Sequence, residues 1–596
     1  MSGLRALSFG RGFAASALAA WIFVMLMFAG CVDRDDQDDN QEVVKDSIID
    51  CGRGWVSGGT LTYAGQDYRT IIVGDNIWMA ENLNYETAGS WCNDNNGKNC
   101  DGYGRLYAWD AAVSACAVMG WRLPDSADWE GLAAAAGGSG AAGRTLKSAT
   151  GWKSNGNGID SLGFSALPGG SRNNDGGFEP VGADGFWWSA AEAGSGYAWY
   201  RGVSYDKSEG LREERGAAGF GFSVRCVRPL AITVSNPYAD VDWAAWKQYK
   251  ASFHVHTSNS DGSNTRAEML EDYYAKDFDI VTINDHDFLT TAWDGPGVGA
   301  LATERKLQME AGEGRGGRGM ITIPNTSEHS AEGDPWPFAV HHINIFNAPF
   351  VREDLSLSGR TMAGVLAKVE EVGGVSHINH PGRYTGGDSP DPQEGAEASN
   401  NPAYIKWYAD LFMAYKSCAG MEIINNMDKE SFSDRILWDN INMRTIPQGR
   451  SVYGFCADDS HRKDNDGFGW NVMLMTELST QATLNAMKNG EFYAVSRYDR
   501  REGVKISGTE NLASWLTKPT PSISGITVNG GSITVTGAGY DVIEWIADGV
   551  KIATGSATLN IKEHLGGINS YVRAQLKSAT GIAYTQPFGV SFGVND

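Results

Sequence analysis

Nine of the ten histidines in this 596-residue chain lie between His254 and His461, and their neighbours are carboxylates. In order come His254-x-His256 with Asp261, Asp285-His286, Glu328, His341-His342, His380, and Asp459-x-His461. Side chains of an extended segment alternate with a period of two, so HxH puts both imidazoles on one face, and DxH does the same for Asp459 and His461. Neutral imidazoles with carboxylates form a mixed nitrogen and oxygen donor set suited to Zn, Mn or Fe. One HxH alone reads as easily as a hydrogen-bonded surface pair. Five such groups in succession make a metal site the expectation. His329 and His377 fit no ligand slot and read as structural, and His564 stands alone near the C-terminus.

The segments that must position these residues run from Trp246 to about Ser507 as short apolar stretches alternating with amphipathic ones. YKASFHV (249–255) is followed by TRAEMLEDYYAKD, where Met269, Leu270, Tyr273 and Tyr274 recur at helical spacing, and then by FDIVTIND. MITIPNTSE and HHINIF read as strands, TMAGVLAKVEEV as a helix, and GVSHINH, GMEIINN, VYGFCADD and NVMLMT as further strands with helical stretches between them. Repeated strand-then-helix units predict a parallel barrel, with the His, Asp and Glu residues at the C-terminal ends of its strands, where such barrels build their active sites.

FHVHTSNSDG (253–262), INDHD (283–287), SEHS (327–330), SHINHPGR (376–383), MEIINN (421–426) and ADDSH (457–461) together resemble the PHP (polymerase and histidinol phosphatase) superfamily of metal-dependent phosphoesterases, over roughly 250 to 500. The resemblance implies a distorted seven-stranded, TIM-like (βα)7 barrel with two or three divalent ions. It implies that His254, His256, Glu328 and Asp459 hold a first ion, and that a bridging Glu328 with His342 and His380 holds a second. Asp261, His286 and His461 would hold a third. His341 is the alternate to His342, and NDH replaces the commoner TDH. The implied reaction is hydrolysis of a small phosphate ester by a metal-activated hydroxide, with the ions clamping phosphoryl oxygens. Arg383 and Arg462 are candidates to bind a non-bridging oxygen, or are surface salt bridges. Asp285 would orient a ligand histidine or protonate the leaving group. Glu422 would be a strand-end hydrogen-bonding group. Two other readings stay open: a catalytically silent metal-binding surface or adhesion protein, and a metal-dependent carboxyl-ester or amide hydrolase on the same barrel.

Before this region, residues 51–228 form a separate compositional zone, in which ten of the 20 Trp fall between Trp55 and Trp199 among Gly and Asn. Such a segment builds a loop-rich fold on short strands. IWMAENLNYET (77–87), SWCNDNNGKNCDGYGRLYAW (90–109), GWRLPDSADWEGL (120–132), GFSALPGGSR (163–172) and FGFSVRCVRP (220–229) resemble the Fibrobacter succinogenes major paralogous domain. The GWRLP…W element also looks like C-type-lectin-like folds, which implies an α+β module with long loops. Its Trp residues fill a core or, where exposed, stack on a glycan or another surface partner. Cys92 and Cys100 bracket a polar loop they could close, and Cys116 and Cys226 could tie the ends of the module, although sequence alone does not fix connectivity.

At the N-terminus, Arg5 and Arg11 precede an uncharged run from Gly12 to Gly30 that ends at Cys31. This is a secretory signal pattern, and Ala29-Gly30-Cys31 resembles a bacterial lipobox, which implies lipidation at Cys31 and anchoring in the cell envelope, at the outer membrane or cell surface. An uncleaved anchor and simple secretion are the other readings. Residues 31–50 read as an acidic tether. Export permits disulfides, and the seven cysteines after Cys31 leave at least one free thiol. The net charge of −23 argues against general nucleic-acid binding, which rests on Lys and Arg. A chain this long holds several domains, and the alternating short strands and Gly-rich turns of 509–596 read as a small β-sandwich after a barrel at 229–508.

Overall fold

Short strands, buried on both faces, carry the polar loops of the central region. The computed structural model describes residues 57–207, 210–334, 340–506 and 511–593. The expected signal (1–30), Cys31, the tether (31–50) and Cys51 lie outside the described residues. No helix among the described residues is long and apolar enough to cross a membrane.

The central strands are β1 (Lys247–Ser252), β2 (Ile280–Val281), β3 (Ser327–Glu332), β4 (Val340–Phe346), β5 (Val375–Ile378), β6 (Cys418–Ile424), β7 (Tyr453–Cys456), β8 (Gly469–Met475) and β9 (Phe492–Ser496). Helices α1 (Arg266–Ala275), α2 (Met362–Glu371), α3 (Gly382–Thr385), α4 (Pro402–Ala414) and α5 (Asp434–Thr445) connect or flank them. In α1, Thr265 and Glu268 form a reciprocal capping box, which satisfies backbone donors that the first turn leaves free. The helix buries Met269, Leu270, Tyr273 and Tyr274, the face its spacing predicts.

The expected uniformly parallel arrangement is found only in part. β1 pairs parallel with β2, and β5, β6 and β7 pair parallel in turn. β3, β4 and β5, however, pair antiparallel, and β8 lies antiparallel to both β1 and β9. The consequence for the site is direct. Ligand candidates follow the C-terminal ends of β1, β2, β5 and β7, but Glu328 stands near the start of β3 and His342 within β4. A parallel bridge from His286 to Glu328 brings the start of β3 alongside the end of β2.

The sheet containing β9 does not stop at residue 508. Gly581–Tyr584 pairs with β9, Tyr571–Ser578 follows, then Phe588–Gly593, and the sheet ends on Ala231–Ser235. A second, three-stranded sheet (Ser522–Asn529, Ser532–Ala538 and Thr558–Asn560) provides the other layer of the C-terminal β region. One apolar cluster includes Met269, Tyr273 and Trp293 from the central region and Ile523, Trp545 and Val572 from the C-terminal one.

In the N-terminal module, Trp78, Trp121, Trp129, Trp152, Trp187 and Trp188 are buried, with Trp78 edge-to-face on Trp129 at 5.0 Å. Core filling therefore accounts for most of the Trp excess. Disulfides join Cys92 to Cys100 and Cys116 to Cys226. Cys418 and Cys456 are buried free thiols, and burial pushes the ionisation of Cys418 up to about 12, so it is no nucleophile.

Candidate metal centre

The nine ligand candidates form one cluster with Glu328 and Asp459 at its middle and Asp261 at its outer end. His254 and His256 follow β1 in an extended segment pinned by the bridge of Val255 to Ser460, and their Nε2 atoms face one another at 3.0 Å. Both reach Asp459 Oδ1, at 3.3 and 3.1 Å, and both reach Glu328, at 3.4 and 3.2 Å. On the other side of Glu328 stand His286 Nδ1 at 3.0 Å, His342 Nδ1 at 3.0 Å and His380 Nε2 at 3.3 Å. Asp261 closes the outer end, with Oδ2 at 3.2 Å from His461 Nε2 and 3.6 Å from His286 Nε2. The inner residues are sealed from solvent, whereas the Asp261 side chain is 55% exposed and His461 34%. Access is from the Asp261 side.

Several donor atoms at the middle of the cluster are left without a hydrogen bond. His286 Nδ1, His342 Nδ1, Glu328 Oε2 and Asp459 Oδ1 are buried and close to opposite charge, yet none makes a hydrogen bond. Ligands about 2.0–2.2 Å from one divalent ion lie about 3 Å apart, which is the spacing seen here. Several overlapping groups have ligand atoms within 4.8 Å: His254, His256 and Asp459; His254, Glu328 and His380; His286, Glu328 and His342; and His256, Asp261, His286 and His461. The donor set therefore fits divalent cations. His286 joins Glu328 and His342 as well as Asp261, so the division of ligands is less sharp than the resemblance implies.

Electrostatics point the same way. Burial alone would raise the Glu328 carboxyl, but the imidazoles, His342 foremost, hold it well below the usual range. Asp459 is likewise held far down by His254 and His256 against the effect of burial. Burial would depress His256, yet Asp459 and Glu328 push it up to about 10. The cluster demands positive charge, as protons or as metal. Backbone strain marks it too, with φ of 23° at His380 and 47° at Asp459, a region non-glycine residues enter at a cost of about 1–3 kcal/mol.

A supporting layer orients the ligands. Glu422 Oε1 lies 2.7 Å from His254 Nδ1, and its Oε2 accepts from His380 N at 3.0 Å and Asn425 Nδ2 at 2.8 Å. Asn379 Nδ2 donates to Glu328 Oε1 at 2.7 Å. Such contacts fix the tautomer and aim of a ligand. The sequence reading left Glu422 as a hydrogen-bonding strand residue, and its place two residues before the strand end was the available signal. Asn379 gave no signal beyond preceding His380.

The other expected residues fall out differently. His341, buried, bonds Tyr408 through Nε2 at 2.8 Å, which leaves His342 as the ligand candidate. Asp285 touches no imidazole. Its carboxylate accepts from Thr257 N (2.6 Å), Thr257 Oγ1 (2.7 Å) and Ser260 Oγ (2.8 Å), so it clamps the turn after His256. Arg462 pairs with Asp464 at 2.9 Å on an exposed turn, 59% exposed itself, and is not drawn into the cluster. Arg383 pairs with Glu430 at 2.9 Å, and Glu430, which sequence reasoning missed in a patternless loop, groups with His380 and Asp459. His329 and His377 are buried and stand in none of the ligand groups among the described residues.

No curated protein matches the chain. Among solved structures, a two-domain Bacteroides vulgatus protein containing a predicted PHP-like metal-dependent phosphoesterase is 14% identical, with a TM-score of 0.29, over 62% of this chain and 92% of that one. An amidohydrolase from Chromobacterium violaceum with bound sulfate is 15% identical, with a TM-score of 0.24, over 35% of this chain and 87% of that one. A Bifidobacterium adolescentis protein named for metal-dependent phosphoesterase activity is 15% identical, with a TM-score of 0.20, over 36% and 88%. At these scores the likenesses add nothing to the chemistry argued above. Residues 71–228 match the Fibrobacter succinogenes major domain, the family that the motifs of this segment resemble.

Proposed function

We propose that the chain is an exported, lipid-anchored metal-dependent phosphoesterase acting on a small phosphate ester. One observation carries the reading: six imidazoles and three carboxylates fall into overlapping groups at ligand spacing, with several donor atoms buried and unbonded. We read the central region as a distorted (βα)7, TIM-like barrel and the N-terminal module as C-type-lectin-like. Zn, Mn or Fe suits the donors, with two or three ions shared among His254, His256, Asp261, His286, Glu328, His342, His380, Asp459 and His461. Bound there, such ions would supply Lewis acidity, lowering the pKa of a water toward neutrality and offsetting charge on phosphoryl oxygens.

The chain's own residues do the rest. Glu422 holds His254 so that Nε2 faces inward, and Asn379 holds Glu328 between the two histidine groups. Buried walls exclude water from the inner end, while the Asp261 rim admits substrate. Arg383, half exposed, swings from Glu430 to an anionic oxygen. Lipidation at Cys31 and the acidic tether set the protein at the outer membrane or cell surface, and the N-terminal module engages a glycan or other surface partner through its half-buried Trp91, Trp109 and Trp199.

A second reading, hydrolysis of a carboxyl ester or amide, draws on one observation: both arginines expected to greet phosphate are already paired with carboxylates. Metal analysis with phosphomonoester, phosphodiester and carboxyl-ester substrates separates the two. His254→Ala and Asp459→Ala should each lose metal and more than about 100-fold of activity. Protein without stoichiometric transition metal would end both readings.

A further inference from the structure

Tyr384 stands against the cluster with an unused hydroxyl. It lies in α3, just past His380, and its ring packs on the imidazoles of His342 and His380 with centroids 5.5 and 5.7 Å away. The hydroxyl oxygen is screened from solvent, yet has no hydrogen-bond partner among the described residues. A buried hydroxyl left in this state destabilises the protein that carries it, unless a ligand engages it.

Its surroundings say where that ligand would be. Its ring stands among three imidazoles, with His341 at 4.8 Å behind it and the ligand candidates His342 and His380 beside it, so the phenol lines the histidine face of the centre. The turn that carries it is fixed from below. Gly382 N donates to the buried Asp434 at 3.0 Å, and a Cβ at Gly382 would come within 2.5 Å of Asp434 Oδ1, so only glycine permits this approach. Arg383, the neighbouring residue, is paired with Glu430, which groups with His380 and Asp459.

We propose that Tyr384 contacts the substrate, its hydroxyl donating a hydrogen bond to a non-bridging phosphoryl oxygen seated on the Glu328, His342 and His380 face. The inference rests on the phosphoesterase reading. A phenol is protonated at neutral pH and adds no charge, so it complements Arg383 by direction rather than by attraction. Tyr384 keeps its proton throughout and neither forms nor breaks a covalent bond.

The test is Tyr384→Phe in the full-length, metal-loaded protein, with inorganic phosphate as probe in calorimetry and as a competitive inhibitor. Phosphate affinity and kcat/KM should each fall about tenfold, with metal content unchanged. The thermal midpoint of the metal-free variant should hold or rise, because the change removes an unpartnered group. Unchanged phosphate affinity would overturn the inference, as would a lower midpoint or lost metal, which would mark a structural role. If wild type hydrolyses phosphate esters and the variant equals it, only the inference fails. If metal-loaded wild type neither binds phosphate nor hydrolyses phosphate esters, the phosphoesterase reading fails and takes the inference with it.

Discussion

Glu422 is the residue whose contribution is easiest to isolate, because it touches two ligand positions without being one. Its carboxylate aims His254 through Nδ1 and anchors the His380 backbone. Glu422→Gln keeps the shape and removes the charge, so metal affinity should fall about 10–100-fold by equilibrium dialysis while the fold persists. Full retention of metal would show that His254 needs no such support. His377 permits a cleaner electrostatic test. It is buried between Phe346 and Phe455, with centroids 5.3 and 4.8 Å away, and burial pushes its ionisation down to about 4. The unfolded chain takes up this proton near pH 6.5, the folded one only near 4. Stability is therefore full above pH 6.5 and is lost as pH falls through that window. His377→Leu should show a shallower loss of stability from pH 6.5 to 4 in urea titrations, and parallel curves for the two proteins would refute the assignment.

At the scale of elements, the β6–β7 pair sets the distance between Glu422 and the Asp459 turn. Gly420 lies so close to β7 that a Cβ there would stand 1.9 Å from Tyr453 O. Gly420→Ala should part the two strands, lowering the thermal midpoint and bound metal together. A midpoint within a degree or two of wild type would show that the pair can open without loss. The clustered His, Asp and Glu were legible in the sequence because they recur there in short fixed spacings beside apolar strands. The directions of β3 and β4 were not, since an apolar stretch carries no mark of which neighbour it will pair with. Asn379, Glu430 and Tyr384 escaped for a related reason: each matters only through what a distant segment brings beside it. Asp285 sat in a recognisable motif, yet its role was settled by Thr257 and Ser260, which fold back onto it.

For the whole molecule, polar contacts join the central and C-terminal regions alongside the shared sheet. Arg573 grips the buried Asp439 at 2.7 and 2.8 Å, and Gln586 completes the backbone of β7 by bonding both polar groups of Gly454, at 2.8 and 3.0 Å. Removing residues 509–596 would bare the edge of β9, open the apolar cluster around Tyr273 and leave Asp439 without its partner, a change that alone costs about 3–5 kcal/mol. A chain ending at 508 should be insoluble or proteolysed within minutes; a soluble, protease-resistant fragment would show that the central region folds alone. Ala231–Ser235 lies antiparallel to Phe588–Gly593, with Ala231 opposite Gly593. The strand that leads into the central region and the last described strand of the C-terminal region thus lie side by side. The same pair carries Ile232 and Phe592 against the core of the N-terminal module, so the point where the chain enters the central region is also where the module is fastened to it.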